Sequence, residues 1–254
     1  MVLKGVILAG GRGTRLHPCT AVINKHLLPV GNKPMIYYPL ETLRKMGCTD
    51  LLMVTGGENP SEFMRLIKDG KQFGFNSVLY AYQDNPTGGI ADALSLAESF
   101  INVNEKFVMI LGDNLILTTE SLNSGDEIYE SVNEFLTEPI GRAHIFIKEV
   151  EDASSFGVIE LSSEKTVVNI IEKPKTLKTQ SKAVIGLYLY DQTVFDVIRN
   201  IKPSDRDELE ITDVNMYYVN KKHITYTELK SSTKWLDTGS FESLYKANTL
   251  LLGK

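Results

Sequence analysis

Four short apolar runs, at residues 2–8, 51–55, 78–82 and 107–111, alternate with stretches of helical character at 34–46, 61–68 and 90–100. That rhythm is the mark of βαβ units, which pack as a mostly parallel sheet with helices on its faces. It commits the first half of the chain to an α/β architecture and also says where chemistry should lie. In open sheets of this kind, ligands bind outside the carboxyl ends of the strands. The first run delivers a glycine turn, the third delivers Gln83-Asp84-Asn85-Pro86-Thr87-Gly88-Gly89, and the fourth delivers Gly112-Asp113-Asn114.

Beyond about residue 121 the pattern changes. Strand-like runs at 143–148, 158–161, 167–171 and 183–190 lie closer together, and their short connections predict antiparallel additions to the sheet. Helical stretches follow at 193–200, 208–220 and 241–252. No low-complexity linker or internal repeat separates the halves, so the expectation is one domain over residues 1–254, with a β-rich subregion inserted after residue 120.

Composition narrows the function classes. A net charge of −5 argues against general nucleic-acid binding through a basic surface, so positive charge that meets an anion must be local. Cys19 and Cys48 form no disulfide framework, and His17, His26, His144 and His223 are scattered without zinc spacing. The early apolar segment, 2–9, is too short to span a membrane and runs into Arg12 and Arg15 without a cleavage pattern. A cytoplasmic protein with no membrane partner is the expectation.

The opening turn, Leu8-Ala9-Gly10-Gly11-Arg12-Gly13-Thr14-Arg15-Leu16, reads as a phosphate cradle. Its glycines permit positive φ and let backbone N–H groups approach an anion, while Arg12 and Arg15 add charge beside them. Neither common alternative is completed. No further glycine follows Gly13 to complete a dinucleotide fingerprint, Arg15 and Leu16 standing there instead, and the Gly-Lys-Ser/Thr end of a P-loop is absent. A glycine-rich connection with no ligand remains the bland reading.

The other candidates each carry a structural alternative. Asp113 after the fourth run is placed to hold Mg²⁺, yet Asp-Asn also starts ordinary turns. Asp237, in Trp235-Leu236-Asp237-Thr238-Gly239, would make a two-carboxylate site if the chain folds back onto Asp113, while Thr238 or Ser240 could cap the closing helix. Glu172-Lys173-Pro174 suits a sugar hydroxyl and a phosphate, or a plain surface turn. Lys25 lies in a loop where a lysine is usually solvated. Gln83, with Gly88 leaving room for a flat ring, matches the imide edge of thymine or uracil, or the loop needs glycine for its own backbone. Phe156-Gly157-Val158 is a strand start or a close approach to a sugar hydroxyl.

Taken in order, the glycine turn, Asn24-Lys25-His26-Leu27-Leu28-Pro29, Lys33-Pro34-Met35-Ile36-Tyr37, Leu111-Gly112-Asp113-Asn114, Phe156-Gly157-Val158, Glu172-Lys173-Pro174, Leu209-Glu210-Ile211-Thr212-Asp213 and Trp235-Leu236-Asp237-Thr238-Gly239 follow one family's succession of motifs. Over almost its whole length the chain resembles the sugar nucleotidyltransferases, in their short glucose-1-phosphate thymidylyltransferase form. The resemblance implies a Rossmann-like, mostly parallel sheet and the Mg²⁺-assisted reaction of dTTP with α-D-glucose 1-phosphate to dTDP-glucose and pyrophosphate, a step toward dTDP-rhamnose. It implies nucleotide contacts from Leu8, Gly10, Gly11, Arg12, Gly13, Thr14, Gln83, Gly88 and Asp113. It implies sugar-phosphate contacts from Gly157, Glu172, Lys173 and the backbone near Val184. Arg15, Lys25, Asp113 and Asp237 carry the catalytic roles by the same likeness, the two aspartates holding the metal. Residues 1–120 then form the nucleotide-binding part, and 121–254 the sugar-binding part and closing helix.

Several positions depart from the family pattern. Arg12 replaces a small hydroxyl residue, His17 a tyrosine, His26 a glutamine, Asp92 an amide, Ile185 a threonine and Asp207 a glycine. Asp92 and Ile185 lie near the expected base and sugar pocket, which leaves UTP or another sugar 1-phosphate as alternative substrates. A non-catalytic nucleotide-sugar binder and a dinucleotide-dependent oxidoreductase are the readings from other classes. Longer members continue into further helices after the position of Asp237, so an effector site is not carried over. A homo-oligomer, tetramer or dimer, is expected from the likeness alone.

Overall fold

The computed structural model describes residues 2–57, 60–117, 126–175 and 181–253. The first half runs β1 (Leu3–Ala9), a hairpin of β2 (Pro29–Val30) and β3 (Lys33–Pro34), α1 (Tyr37–Lys45), β4 (Cys48–Gly56), α2 (Ser61–Ile67), β5 (Ser77–Gln83), α3 (Ile90–Ser95), β6 (Lys106–Leu111) and β7 (Asn114–Leu117). The second half runs α4 (Glu127–Thr137), β8 (Ala143–Val150), β9 (Gly157–Leu161), β10 (Val167–Glu172), β11 (Ser181–Asp191), α5 (Val194–Asn200), α6 (Ile211–Lys221), β12 (Ile224–Glu228), β13 (Lys234–Asp237) and α7 (Phe241–Leu252).

One sheet joins both halves, in the order β10-β9-β11-β6-β1-β4-β5, with β8 pairing β11 and β12 beside that path. The four strands β6, β1, β4 and β5 are parallel, as the βαβ rhythm requires. Strand β11 then runs antiparallel to β6, β8 and β9, and β9 antiparallel to β10. Strand β12 lies parallel to β8. The division at residues 120 and 121 falls outside the described residues.

Alternation along the central strands explains why the sheet is covered on both sides. Val6 and Leu8 of β1, with Phe107 and Met109 of β6, face a cluster built with α3, α5 and α6. Ile7 and Ala9, with Val108 and Ile110, face the opposite cluster built with α1, α2 and α4. Each such side chain contributes roughly 1.5–3 kcal/mol on burial, so a strand apolar on both faces is secured only where both layers close.

Three helices differ from their expected bounds because backbone groups are bonded elsewhere. Helix α1 starts at Tyr37 rather than 34, since the Met35 and Ile36 N–H groups donate to Leu28 and His26 carbonyls. Helix α3 gives way after Ser95 to tighter turns that continue to Ile101. Helix α6 starts at Ile211 rather than 208, because Leu209 pairs with the 88–91 segment: its N–H donates to Gly88 O, and Ala91 N–H donates to Leu209 O. Gly89 serves that crossing with φ 92°, and a Cβ there would stand 2.5 Å from Leu209 O. Helix α4 and strands β7 and β12 were not anticipated from the sequence.

Candidate active site

Strand β1 has β4 on one side and β6 on the other, so the chain reverses its direction of progress across the sheet there. A crevice opens at the carboxyl ends of such a pair. The glycine turn leaves β1 and Asp113 leaves β6 at that point, and both border a cleft of about 570 Å³.

Within the glycine turn only Gly13 takes a positive φ, 64°, which it needs to lead into the 3₁₀ turn Thr14–Leu16. Gly10 and Gly11 are required for space instead. A Cβ on Gly10 would lie 2.6 Å from Gln83 Oε1, and one on Gly11 would touch the Lys25 side chain at 3.4 Å. Lys25 comes from a second 3₁₀ turn, Lys25–Leu27, held at its start by the Asn24 carboxamide oxygen, which accepts from His26 N–H at 3.0 Å. Its ammonium reaches across to Asp113 Oδ2 at 2.5 Å.

The fold-back that the two-aspartate reading demands is present. Strands β7 and β13 pair antiparallel, with Asp237 opposite Asn114, and Thr238 donates through both its N–H and hydroxyl to the Asp113 carbonyl. Ser240 caps α7 with a reciprocal capping box, so the helix start and the carboxylate next to it are satisfied by different residues. Burial alone would raise the Asp113 carboxyl, but the Lys25 ammonium holds it well below the usual carboxylate range. Asp237 moves the other way, to about 6, through burial and then the charge of Asp113. The Asp113 carboxylate meets the Lys25 ammonium directly, and Asp237 lies within reach of the charges of Asp113, Lys25 and Arg15, so the two carboxylates share one electrostatic neighbourhood. Mg²⁺ takes one or two carboxylates together with waters and phosphate oxygens, so this pair fits it. Among the described residues no cluster of three or more His, Cys, Asp or Glu side chains that could hold a metal exists.

The opposite wall comes from the second half. Glu172, at the end of β10, accepts from the Thr212 hydroxyl at 2.5 Å and from Arg206 at 3.2 Å. Lys173 follows in a left-handed conformation, φ 42°, its N–H bonded to Phe156 O. Gly157 opens β9, where a Cβ would meet the Thr212 hydroxyl at 3.2 Å. Val184 lines the cleft next to a register shift between β11 and β8, and within it Gly186 N–H donates to Asn114 Oδ1 at 2.9 Å. The same oxygen accepts from Trp235 Nε1 at 2.7 Å, so the indole forms part of the wall.

Of the residues singled out from the sequence, Leu8, Gly10, Gly11, Arg15, Lys25, Gln83, Asp113, Gly157, Glu172, Lys173, Val184 and Asp237 border this one cleft. Arg12 and Thr14 border a neighbouring cleft of about 680 Å³, which shares Gly11 and Gln83 with the first. Gly13 and Gly88 border neither. The Gly88 N–H and C=O are both bonded within the protein, to Asn85 O and Leu209 N–H. Arg206, Thr212, Asn114 and Trp235 also border the cleft although no role for them was read from the sequence. The last three lie inside motifs that were recognised, and only their partners in space give them a role.

Comparison with known proteins follows the same lines. Residues 4–254 match the family described as Nucleotidyl transferase. A glucose-1-phosphate thymidylyltransferase of Mycolicibacterium smegmatis is 42% identical over 97% of this chain and 81% of its own length. One from Neisseria meningitidis is 40% identical over 96% of this chain and 81% of its own. Among solved structures, a Bacillus anthracis protein provisionally assigned to the same activity, in complex with sucrose, superposes with a TM-score of 0.87 at 42% identity, covering 98% of this chain and 95% of that one. A UDP-glucose pyrophosphorylase in complex with UDP-glucose superposes with a TM-score of 0.83 at 26% identity, covering 100% and 99%.

Proposed function

The chain belongs to the nucleotidyl transferase family, and from that premise we propose that it joins dTTP and α-D-glucose 1-phosphate to give dTDP-glucose and pyrophosphate. The activity follows the thymidylyltransferase relatives, and the observation that carries it to this protein is the convergence of Arg15, Lys25, Asp113, Glu172, Lys173 and Asp237 on one cleft. Those six come from five separate segments, and each has a use in a reaction between two anions.

A phosphate oxygen of glucose 1-phosphate attacks the α-phosphorus, the bond from that phosphorus to the β-phosphate oxygen breaks, and pyrophosphate leaves. The nucleophile is already charged, so the protein needs no activated serine or cysteine. What it must supply is alignment and offset of negative charge. Lys25 and Arg15 stand beside the glycine turn for the triphosphate and its leaving group, Lys173 for the sugar phosphate, and Glu172 for sugar hydroxyls. Asp113 and Asp237 would hold Mg²⁺, which when bound supplies further charge neutralisation on the phosphates. Gln83 reads the imide edge of the base.

The imide is shared by thymine and uracil, and a UDP-glucose pyrophosphorylase has this fold, so UTP is the second nucleotide to test. A matrix of triphosphates against sugar 1-phosphates, followed by pyrophosphate release, separates the readings. Release should require both substrates and Mg²⁺ together, with dTTP and glucose 1-phosphate the best pair. A preference for UTP would reassign the nucleotide, and no release with any pair would refute the reaction.

No described helix is long and apolar enough to cross a membrane. We place the protein in the cytoplasm, where nucleoside triphosphates and sugar phosphates are made. We also propose a homo-oligomer, for which the exposed Phe241, Tyr245 and Leu252 of α7 provide an apolar face.

A further inference from the structure

Asp92 is one of the departures from the family pattern, and its contacts give it work. Its Oδ2 accepts from Gln83 Nε2 at 2.8 Å, and the same nitrogen has a second acceptor, Gly89 O, at 3.5 Å. Both partners are oxygens that accept here, so the amide of Gln83 is held in the orientation with its NH₂ toward them. Turning it over would set Gln83 Oε1 against two other oxygens. Gln83 is only 6% exposed, so most of its side chain is packed against the protein.

The oxygen left over accepts from no group among the described residues and lies against Gly10, in a residue that lines both clefts. Gln83 Oε1 sits above the glycine turn, 2.6 Å from where a Cβ on Gly10 would be, at the boundary of the two clefts. Gly88 supports the arrangement by having no side chain: a Cβ there would lie 2.3 Å from Asp92 Oδ2. The space that sequence reading reserved for a base at Gly88 is therefore taken by the Asp92 carboxylate.

We propose that Asp92 is a positioning residue that locks the Gln83 amide with its oxygen toward the base, so that the site selects pyrimidines carrying an N3–H over cytosine. Thymine and uracil donate N3–H to that oxygen. Cytosine presents an unprotonated N3, and two acceptors then face each other in a buried place. The carboxylate thus acts chiefly against the wrong base, since a freely turning glutamine would serve either. This inference rests on the nucleotidyl-transfer reading of the cleft.

The test compares kcat/KM for dTTP and dCTP, each with glucose 1-phosphate and Mg²⁺, in the wild type, Asp92→Asn and Gly88→Ala. An asparagine can offer either NH₂ or C=O to Gln83, so the amide gains its second orientation. Gly88→Ala displaces the carboxylate while leaving both partners intact, and it replaces Asp92→Asn should that variant not fold. The dTTP preference should fall by about tenfold, the worth of one hydrogen bond. The change should appear in KM, because the lock acts on base recognition and not on the reacting phosphates. A ratio within about twofold of wild type in a folded variant would overturn the lock while sparing the reaction, whereas no turnover of any triphosphate by the wild type would remove the reaction and the lock together.

Discussion

The 2.5 Å contact from Lys25 to Asp113 joins the two sides of the cleft floor, and it explains why neither residue could be ranked from sequence. A lysine in a loop and an aspartate in an Asp-Asn turn are both ordinary until 88 residues of chain bring them together. The motifs were legible because their residue types are rare in that order. Geometry supplies the partners that sequence could not: Thr238 donates to Asp113 O, Ser240 caps α7, and Asp237 accepts from Gly239 N–H. Arg206 stayed unread because its partners Glu172 and Glu210 lie on different elements and no local pattern marks it. At this scale Asp113→Asn is the informative change. Losing one charge-positioning group should lower kcat by about 10²–10³-fold. Circular dichroism should remain that of the wild type, and unchanged turnover would refute the metal-holding role.

Among the elements, the apolar runs of β1, β4 and β6 were readable because both faces of those strands are covered, and β5, at the sheet edge with Leu79 and Tyr82 exposed, was readable from its β-type residues. Strand β12 was not, because it lies at a sheet edge with Thr225 and Glu228 exposed, only half-buried residues between them, and no apolar run. Helix α4 does carry apolar residues at helical spacing, Ile128, Val132 and Phe135, behind an Asp126 N-cap. That signal was available in the sequence and was passed over. The parallel pairing of β12 with β8 places Thr225 and Thr227 hydroxyls on the two ring nitrogens of His144, at 2.8 and 3.1 Å. Burial lowers this imidazole to about 4. The His144 contribution to stability is therefore full above pH 6.5 and is lost as the pH drops toward 4, buried His26 acting in the same direction and Asp237 in the opposite one. His144→Gln should flatten that dependence by on the order of 3 kcal/mol, read from urea unfolding at pH 7 and pH 4.5. An equal slope in the variant would show that His144 does not carry it.

For the whole molecule, the sheet accounts for the site. The parallel strands bring the glycine turn, Gln83 and Asp113 to one edge, and the antiparallel additions carry Gly157, Glu172 and Val184 around to face them. Sequence order announced both groups separately, but the crossing of Leu209 over Gly88, which ties the two halves across the cleft, involves backbone groups that no side-chain pattern reports. The outer face of α7 leads to a prediction at the same scale. Light scattering should give a mass that is a multiple of 28.4 kDa, and Tyr245→Glu should reduce it. A wild-type monomer at micromolar concentration would remove the oligomer.

The central claim is that this cleft cuts a triphosphate between its α- and β-phosphorus and hands the nucleotide portion to a sugar phosphate. Position-specific ³²P labelling of dTTP tests it most directly. Label at the α-phosphate should be recovered in a product that also contains glucose, and label at the γ-phosphate should leave as pyrophosphate. Recovery of γ-label as orthophosphate, or its attachment to the sugar phosphate, would contradict the account.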